Sequence, residues 1–314
     1  MNQSAERLLD GRTAGMPGWT VDRFGPMALI QSFGREDADP SVLAGLVDDL
    51  MARDDVQGVV LKERGHQDRG RGEGRLLAGT LPGSSDDDPF VTREGRLLID
   101  EAGMRFGIDL LYGTNVGLFL DARPMRAAVR QRSEGRRVLN LFSYTSAFGV
   151  AAALGGARST TNVDLVPSAL KRGQANYRLN GLPHDPRSHT RSDVFEFLRR
   201  AAKSGSTWDL VICDPPPVPT AGKGKRRKNF DPARDMERLL RLCVSVLAPG
   251  GALLALSATR GTSRFEEPLQ AVLEETPDLA EPRAIARAED FPGEEGLRAV
   301  WVERSNDLTG EPQI

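Results

Sequence analysis

Cysteine is nearly absent. Cys213 and Cys243 are the only two in 314 residues, and both lie in apolar runs without metal-ligand spacing. That excludes a disulfide scaffold and makes a reducing cytoplasm the expected setting. Histidine is almost as scarce: His66, His184 and His189 occupy polar, loop-like segments, so each is expected at the surface and no metal is expected. No apolar run approaches the ~18 residues that would span a bilayer. The opening MNQSAERLLDGRTAG lacks the apolar core of a signal peptide. Neither sign of charge dominates, the formal net charge being −2, so any affinity for nucleic acid must come from a local patch. These absences describe a soluble intracellular protein, long enough for one large domain or two ordinary ones.

What is present falls into two textures. Residues 17–33 read as two strands around the Phe24-Gly25-Pro26 turn, PSVLAGLVDDLMAR has helical spacing, and VQGVVLKER returns to strand composition. HQDRGRGEG and GSSDDDP are polar breakers, and RLLIDEAGMRFGIDLL is a hairpin turning at Ala102-Gly103. A small α+β domain is therefore expected over residues 1–113. From residue 114 strand and helix alternate: helix ARPMRAAVRQR, strand RRVLNLF, helix AFGVAAALGG, strand STTNVDL, helix PSALKRGQANYRLN, strand HTRSD and helix VFEFLRRAAK. Strand WDLVICD, a basic loop, helix ARDMERLLRLCVSVL and strand GALLALS complete the pattern. Such alternation predicts a mostly parallel, Rossmann-like α/β sheet over residues 114–314, covered by helices on both faces.

Ligands of such sheets bind at the carboxyl ends of the strands, which directs attention to Phe142-Ser143-Tyr144, Asp164, Asp193 and Asp214. A dinucleotide pyrophosphate needs a glycine-rich first turn, so that backbone N–H groups can approach the phosphates. Here that turn is Ser143-Tyr144-Thr145-Ser146-Ala147, without a glycine, which disfavours NAD and FAD. An acid about twenty residues beyond the turn can still accept hydrogen bonds from ribose hydroxyls. A nucleoside without phosphates, such as S-adenosylmethionine, fits: ribose at Asp164, adenine at the Asp193 tip. Strand-end acids also cap helices, and that bland reading competes for each acid singly.

The fourth tip reads CDPPPVP. Prolines fix φ and exclude helix, so Asp214-Pro215-Pro216 is a rigid, extended turn carrying a carboxylate. A carboxylate held beside a methyl donor can accept hydrogen bonds from a nucleobase amino group, and its alignment supplies much of the catalysis.

These residues resemble the class I methyltransferases of the large-subunit ribosomal RNA methyltransferase I family. The matching stretches are GMPGWTVDRFG, GLFLDARPMR, VLNLFSYTSAFGVAAALGGA, SDVFEFL and DPP, spread over most of the chain. The resemblance implies a donor pocket lined by Asn140, Phe142, Ser143, Tyr144 and Thr145. It puts Asp164 and Leu165 at the ribose, Asp193 and Val194 at the adenine edge, and Asp214 at both donor and target. Arg123 would lie close by, its alternative being a helix-start arginine paired with Asp121. The family's amino-terminal RNA-binding PUA domain is expected to be missing, residues 1–15 being too few for it.

Three departures stand beside the matches. The family's YTGGF reads YTSAF here, which costs ~1 kcal/mol if either altered position has positive φ. Val218 stands where an aromatic after Asp-Pro-Pro would stack on a base. Ala258, in LSATRG, occupies the place of the cysteine that cytosine C5 methylation needs as a nucleophile. Alternation along the strand turns Cys213 away from the Asp214 side, and Cys243 lies mid-helix among apolar residues. The expectation is an S-adenosylmethionine-dependent methyltransferase acting on RNA, foremost ribosomal RNA, at a base nitrogen rather than cytosine C5. The alternatives are a small-molecule methyltransferase and a non-catalytic RNA-binding or cofactor-sensing protein. Lys223, Lys225, Arg226, Arg227 and Lys228, directly after the Asp-Pro-Pro turn, are the candidate phosphate contacts, a solvated loop being the bland alternative.

Overall fold

The computed structural model describes residues 4–33, 40–64, 73–83, 96–113, 115–183, 185–218, 230–258, 264–292 and 296–306. The chain forms two compact units, one of Met1–Leu120 with Ala288–Gly293, the other of Asp121–Arg287 with Glu294–Ile314.

The first unit contains β1 (Ala5–Asp10), β2 (Trp19–Phe24), β3 (Met27–Ser32), α1 (Pro40–Met51), β4 (Gly58–Glu63), β5 (Arg75–Gly79), β6 (Leu97–Glu101) and β7 (Met104–Ile108). The first five strands make one sheet in chain order. Only the β3–β4 pair is parallel, as a crossover through α1 requires. Val21, Ala28, Ile30, Val59 and Leu61 alternate onto one face of that sheet and form a core with Leu50 of α1. The expected hairpin is β6–β7, turning at Ala102 (φ 52°) and Gly103 (φ 80°). Strands β1 and β5 are additions that the sequence pattern does not announce. Of the expected breakers, residues 65–72 and 84–95 lie outside the described residues.

The second unit runs α2 (Arg123–Gln131), β8 (Arg137–Leu141), α3 (Ala147–Leu154), β9 (Ser159–Asp164), α4 (Pro167–Leu179), β10 (His189–Arg191) and α5 (Val194–Lys203). It continues with β11 (Trp208–Cys213), α6 (Pro232–Ser245), β12 (Leu247–Ser257), α7 (Glu266–Glu275), β13 (Arg283–Ala284) and β14 (Arg298–Glu303). Its seven strands lie in the order β10-β9-β8-β11-β12-β14-β13. Strands β8 to β12 are mutually parallel, and β14 is antiparallel to both of its neighbours. Leu210, Val211, Ile212 and Cys213 of β11 are all buried, as expected of a central parallel strand covered on both faces. The chain winds outward from β8 to β10, then returns to β11 on the other side of β8. Strand order therefore reverses between β8 and β11, the kind of switch point at whose carboxyl ends open α/β sheets bind their ligands.

Candidate active site

Register places the site. Leu141 of β8 is level with Val163 of β9 on one side and Cys213 of β11 on the other. The next residues, Asp164 and Asp214, thus flank Phe142 at matched height, two strand spacings or about 10 Å apart.

The turn after β8 is strained. Phe142 (φ 53°), Tyr144 (φ 47°) and Ser146 (φ 60°) are left-handed, leaving Ala102 as the only other such non-glycine residue among those described. Each left-handed residue costs ~1–2 kcal/mol, and such strain persists only where the surroundings over-determine it. Here they do. Ser143 N donates to Val163 O (3.0 Å), Ser146 N to Ser143 O (2.7 Å) and Val150 N to Ser146 O (2.9 Å). Tyr144 N donates to Asp164 Oδ2 (2.8 Å), and Asn176 Nδ2 of α4 donates to Thr145 O (3.0 Å). Of the two altered turn positions, only Ser146 bears the positive φ, since Ala147 is the first residue of α3. Room for the serine comes from Gly173 of α4, where a Cβ would lie 2.4 Å from Ser146 Oγ.

Beneath the turn lies a buried polar network. Asn140 Nδ2 donates to Asn162 Oδ1 (2.9 Å), and Asn162 Nδ2 donates to Tyr177 OH (2.9 Å) and Ser188 O (3.0 Å). Gly149 of α3 permits this approach, for a Cβ there would stand 2.1 Å from Asn162 Oδ1. Burial pushes the Tyr177 phenol up to about 12, against the opposing effect of its bonds to Thr160 and Asn162. His189 is half-buried, its ring edge-on to Tyr177 at 4.8 Å and its Nδ1 2.9 Å from Ser188 Oγ. That corrects the expectation of a surface histidine: α4 packs across the polar segment, a tertiary contact invisible in local composition. His66 and His184 lie outside the described residues.

The three tip acids are not equivalent. Asp164 is clasped by backbone, Oδ1 accepting from Val166 N (2.8 Å) and Oδ2 from Tyr144 N. Asp193 caps α5, accepting from Glu196 N at 3.0 Å, with buried Val194 as the first helical residue. Asp214 is half-buried and its carboxylate makes no hydrogen bond among the described residues. Burial, reinforced by the Asp121 carboxylate and opposed by the Arg126 guanidinium, pushes it up to about 7. Pro215 is buried and Pro216 half-buried behind it, and Val218 is 63% exposed.

Arg126 was not singled out from the sequence; the resemblance pointed to Arg123, which is half-buried at the start of α2. Arg126 is 1% exposed, between buried Met125 and Val129. The available signal was its place on the apolar side of the helix. Phe230 was also missed: its ring lies 5.5 Å from Phe142 and 6.3 Å from Phe195. The basic residues 223–228 just before it lie outside the described residues.

Neither cysteine is poised as a nucleophile. Both are buried in one apolar core, and the Cys213 thiol is held well above its usual value by its bond to Cys243 and by burial. Ala258 directly follows β12. Among the described residues no helix is long and apolar enough to cross a membrane, and no group of three or more acidic, histidine or cysteine side chains could hold a metal.

The residues fit a nucleoside ligand. Each Asp164 oxygen accepts one backbone N–H, which leaves lone pairs for two ribose hydroxyls. Ser143 Oγ and Asn140 Oδ1 are buried without a hydrogen-bond partner among the described residues, a cost that a polar ligand would relieve.

Comparison with known proteins agrees. Ribosomal RNA large subunit methyltransferase I of Cronobacter sakazakii is 33% identical over 258 residues, covering 81% of this chain and 60% of that protein. Its namesake in Erwinia tasmaniensis is 34% identical over 265 residues, covering 82% and 62%. The chain spans 60–66% of the length of the curated relatives it matches. Among solved structures, SMU.776, a methyltransferase complexed with SAH, superposes with a TM-score of 0.79 at 24% identity, covering 96% of this chain and 75% of that one. The M. jannaschii tRNA m1G37 methyltransferase has a TM-score of 0.59 at 15% identity, covering 94% and 76%. At these identities both show the fold, which is that of a class I methyltransferase core. The model of the S-adenosylmethionine-dependent methyltransferase family matches residues 89–294, about two thirds of the sequence. The chain belongs to the S-adenosylmethionine-dependent methyltransferases.

Proposed function

We propose that the protein methylates RNA, with ribosomal RNA as the foremost substrate, at a base nitrogen. One observation carries the choice of chemistry: the tip facing the donor crevice holds a half-buried aspartate between prolines and an apolar strand, and no thiolate accompanies it. When bound, S-adenosylmethionine supplies an electrophilic methyl group on a positively charged sulfur. Asp164 and Leu165 hold the ribose, Asp193 and Val194 meet the adenine edge, and the 142–145 turn with Asn140 shapes the remainder of the donor pocket. Arg123 lies at the mouth of α2 beside it. Asp214 accepts hydrogen bonds from the target base, and Pro215 and Pro216 keep that acceptor in line with the donor. Methylation at nitrogen needs no covalent enzyme–base adduct, so the buried state of Cys213 is no obstacle.

Substrate choice rests on the two relatives named for ribosomal RNA and on the basic run Lys223, Lys225, Arg226, Arg227, Lys228, which we assign to RNA phosphates. We assign RNA or substrate binding to the small amino-terminal domain, residues 1–113. A cytoplasmic location follows from that substrate. The test is mass spectrometry of nucleosides from total RNA of deletion and wild-type cells, followed by methylation of deletion-strain RNA with purified protein. Loss of one N-methylated nucleoside, restored in vitro, is expected. Unchanged RNA with methyl transfer to a metabolite extract would move the assignment to a small molecule. A lost 5-methylcytosine would overturn the nitrogen assignment.

A further inference from the structure

Exposed aromatic rings are confined to the first unit. Among the described residues no aromatic side chain of the second unit is exposed, whereas Phe33 (51%), Tyr112 (68%) and Phe119 (48%) of the first are. Two of these rings are tied to one end of β4. Ser32 pairs with Glu63, so Phe33 is level with Arg64, whose backbone N–H donates to Ser32 O (2.7 Å). The Arg64 guanidinium lies over the Phe33 ring, 5.9 Å from its centroid. It donates to Gln31 Oε1 (2.6 and 3.0 Å) and Asn115 Oδ1 (3.3 Å), neutral acceptors that orient it without cancelling its charge. Two residues earlier on the same face, fully buried Lys62 donates from Nζ to Gly113 O (2.7 Å), and Gly113 directly follows Tyr112.

The loop that carries Tyr112 is fixed by its own bonds. Asp109 Oδ1 accepts from Leu111 N (3.1 Å) and Tyr112 N (2.9 Å), and Asp109 N donates to Val116 O (2.8 Å). Gly74 N donates to Leu111 O (2.6 Å). A ring exposed on such a backbone loses little freedom when something stacks on it. The nearby acids have other tasks. Asp109 holds that loop, Asp22 accepts from Arg7 (2.8 Å) and Gln31 (3.2 Å), and Glu63 faces the opposite side of the strand from Lys62.

We propose that Phe33, Arg64 and Tyr112 form a stacking surface for the unpaired bases of a single-stranded RNA segment. The proposal deepens, and rests on, the reading of RNA as the substrate. Aromatic rings and a guanidinium plane accept the face of any base, and the guanidinium charge suits the phosphates between bases. Bases within a duplex are already stacked on one another, so the surface selects unpaired segments.

The test is fluorescence anisotropy with a labelled, unstructured RNA strand of about twelve nucleotides, alone and annealed to its complement. The full chain is expected to bind the single strand more tightly than the duplex. Phe33→Ala and Tyr112→Ala should each weaken single-strand binding by roughly five- to a hundredfold. Tyr112→Phe, which keeps the ring, should stay within about twofold of the parent. Arg64→Gln should weaken binding and make the slope of log affinity against log salt shallower by about 0.7. Phe33 and Tyr112 are exposed, so their variants keep the core, and unchanged S-adenosylmethionine affinity checks that they do. Alanine variants that bind the single strand as the parent does would overturn the proposal, as would equal losses for strand and duplex. In either case RNA that is still methylated leaves the substrate reading standing. A parent that neither binds nor methylates RNA would refute that reading, and the surface with it.

Discussion

Asp164 and Asp214 end the two strands that flank β8, at the same height, and the chain treats them in opposite ways. Asp164 spends one lone pair of each oxygen on backbone N–H groups, tying the strained 142–146 turn to β9. Asp214 has no such clasp among the described residues, and burial with Asp121 nearby makes ionisation expensive. Residue type and strand position are shared; the difference is whether the following backbone curls back to donate. After Asp164 it does, through Val166. After Asp214 it cannot, because residues 215 and 216 are prolines without N–H groups. A clasped carboxylate suits the anchoring role proposed for Asp164, and an unclasped one suits the reactive role proposed for Asp214.

The comparison is broken most forcefully at Asp214. Its folded-state value near 7 lies above the ordinary 3.8, so the folded protein retains a proton that the unfolded chain has lost between those values. Stability from this group is therefore greatest in acid and declines as pH rises from about 4 to 7, with the full penalty above. Asp214→Asn removes the penalty, worth on the order of 4 kcal/mol. Denaturant unfolding should show the variant more stable than the parent at pH 8 and equal to it near pH 4. Equal stability at pH 8 would mean that the carboxylate is not held in an unfavourable place.

At Asp164 the expected loss is of binding. Asp164→Ala removes charge-assisted hydrogen bonds worth about 1.5–3 kcal/mol, which weakens S-adenosylmethionine binding roughly tenfold to a hundredfold in calorimetry. Unchanged affinity in a folded variant would make Asp164 scaffold only.

How far these roles were legible in the sequence follows from which forces set them. The alternation of strands and helices from residue 114 exposed β8, β9, β11 and their tips, because apolar runs and tip acids are local signals. The edge strands β1, β5 and β13 and the antiparallel β14 were not visible, being short or dependent on pairing. The clasp on Asp164 comes in part through Tyr144, one of three left-handed residues in a turn without glycine, which no local preference announces. Arg126 reads as a surface arginine until α2 is packed, and His189 as a loop residue until Tyr177 lies against it. Asp193 showed the opposite outcome, since the bland reading of a helix cap is what its carboxylate does.

Smaller effects sharpen the contrast between scaffold and reactive centre. Ser146→Gly relieves the left-handed serine and its unpartnered hydroxyl, so urea unfolding should show a gain of about 1 kcal/mol. Destabilisation would show that Gly173 and its neighbours have adapted to the serine. The double substitution Cys213→Ser, Cys243→Ser should leave the methyl-transfer rate of folded protein within a few-fold of the parent. A thousandfold loss, or a trapped thioether adduct, would restore a covalent mechanism.

The most direct measurement sets the two aspartates against each other in one assay. Single-turnover transfer of labelled methyl from S-adenosylmethionine to deletion-strain RNA is compared, alongside cofactor affinity, for parent, Asp164→Ala and Asp214→Ala. The expected result is crossed: Asp214→Ala keeps its cofactor affinity within a few-fold but loses about a hundredfold or more in rate, while Asp164→Ala loses affinity and recovers most of its rate at saturating cofactor. Full activity in Asp214→Ala, or a parallel loss of affinity in both variants, would contradict the division of roles on which the account rests.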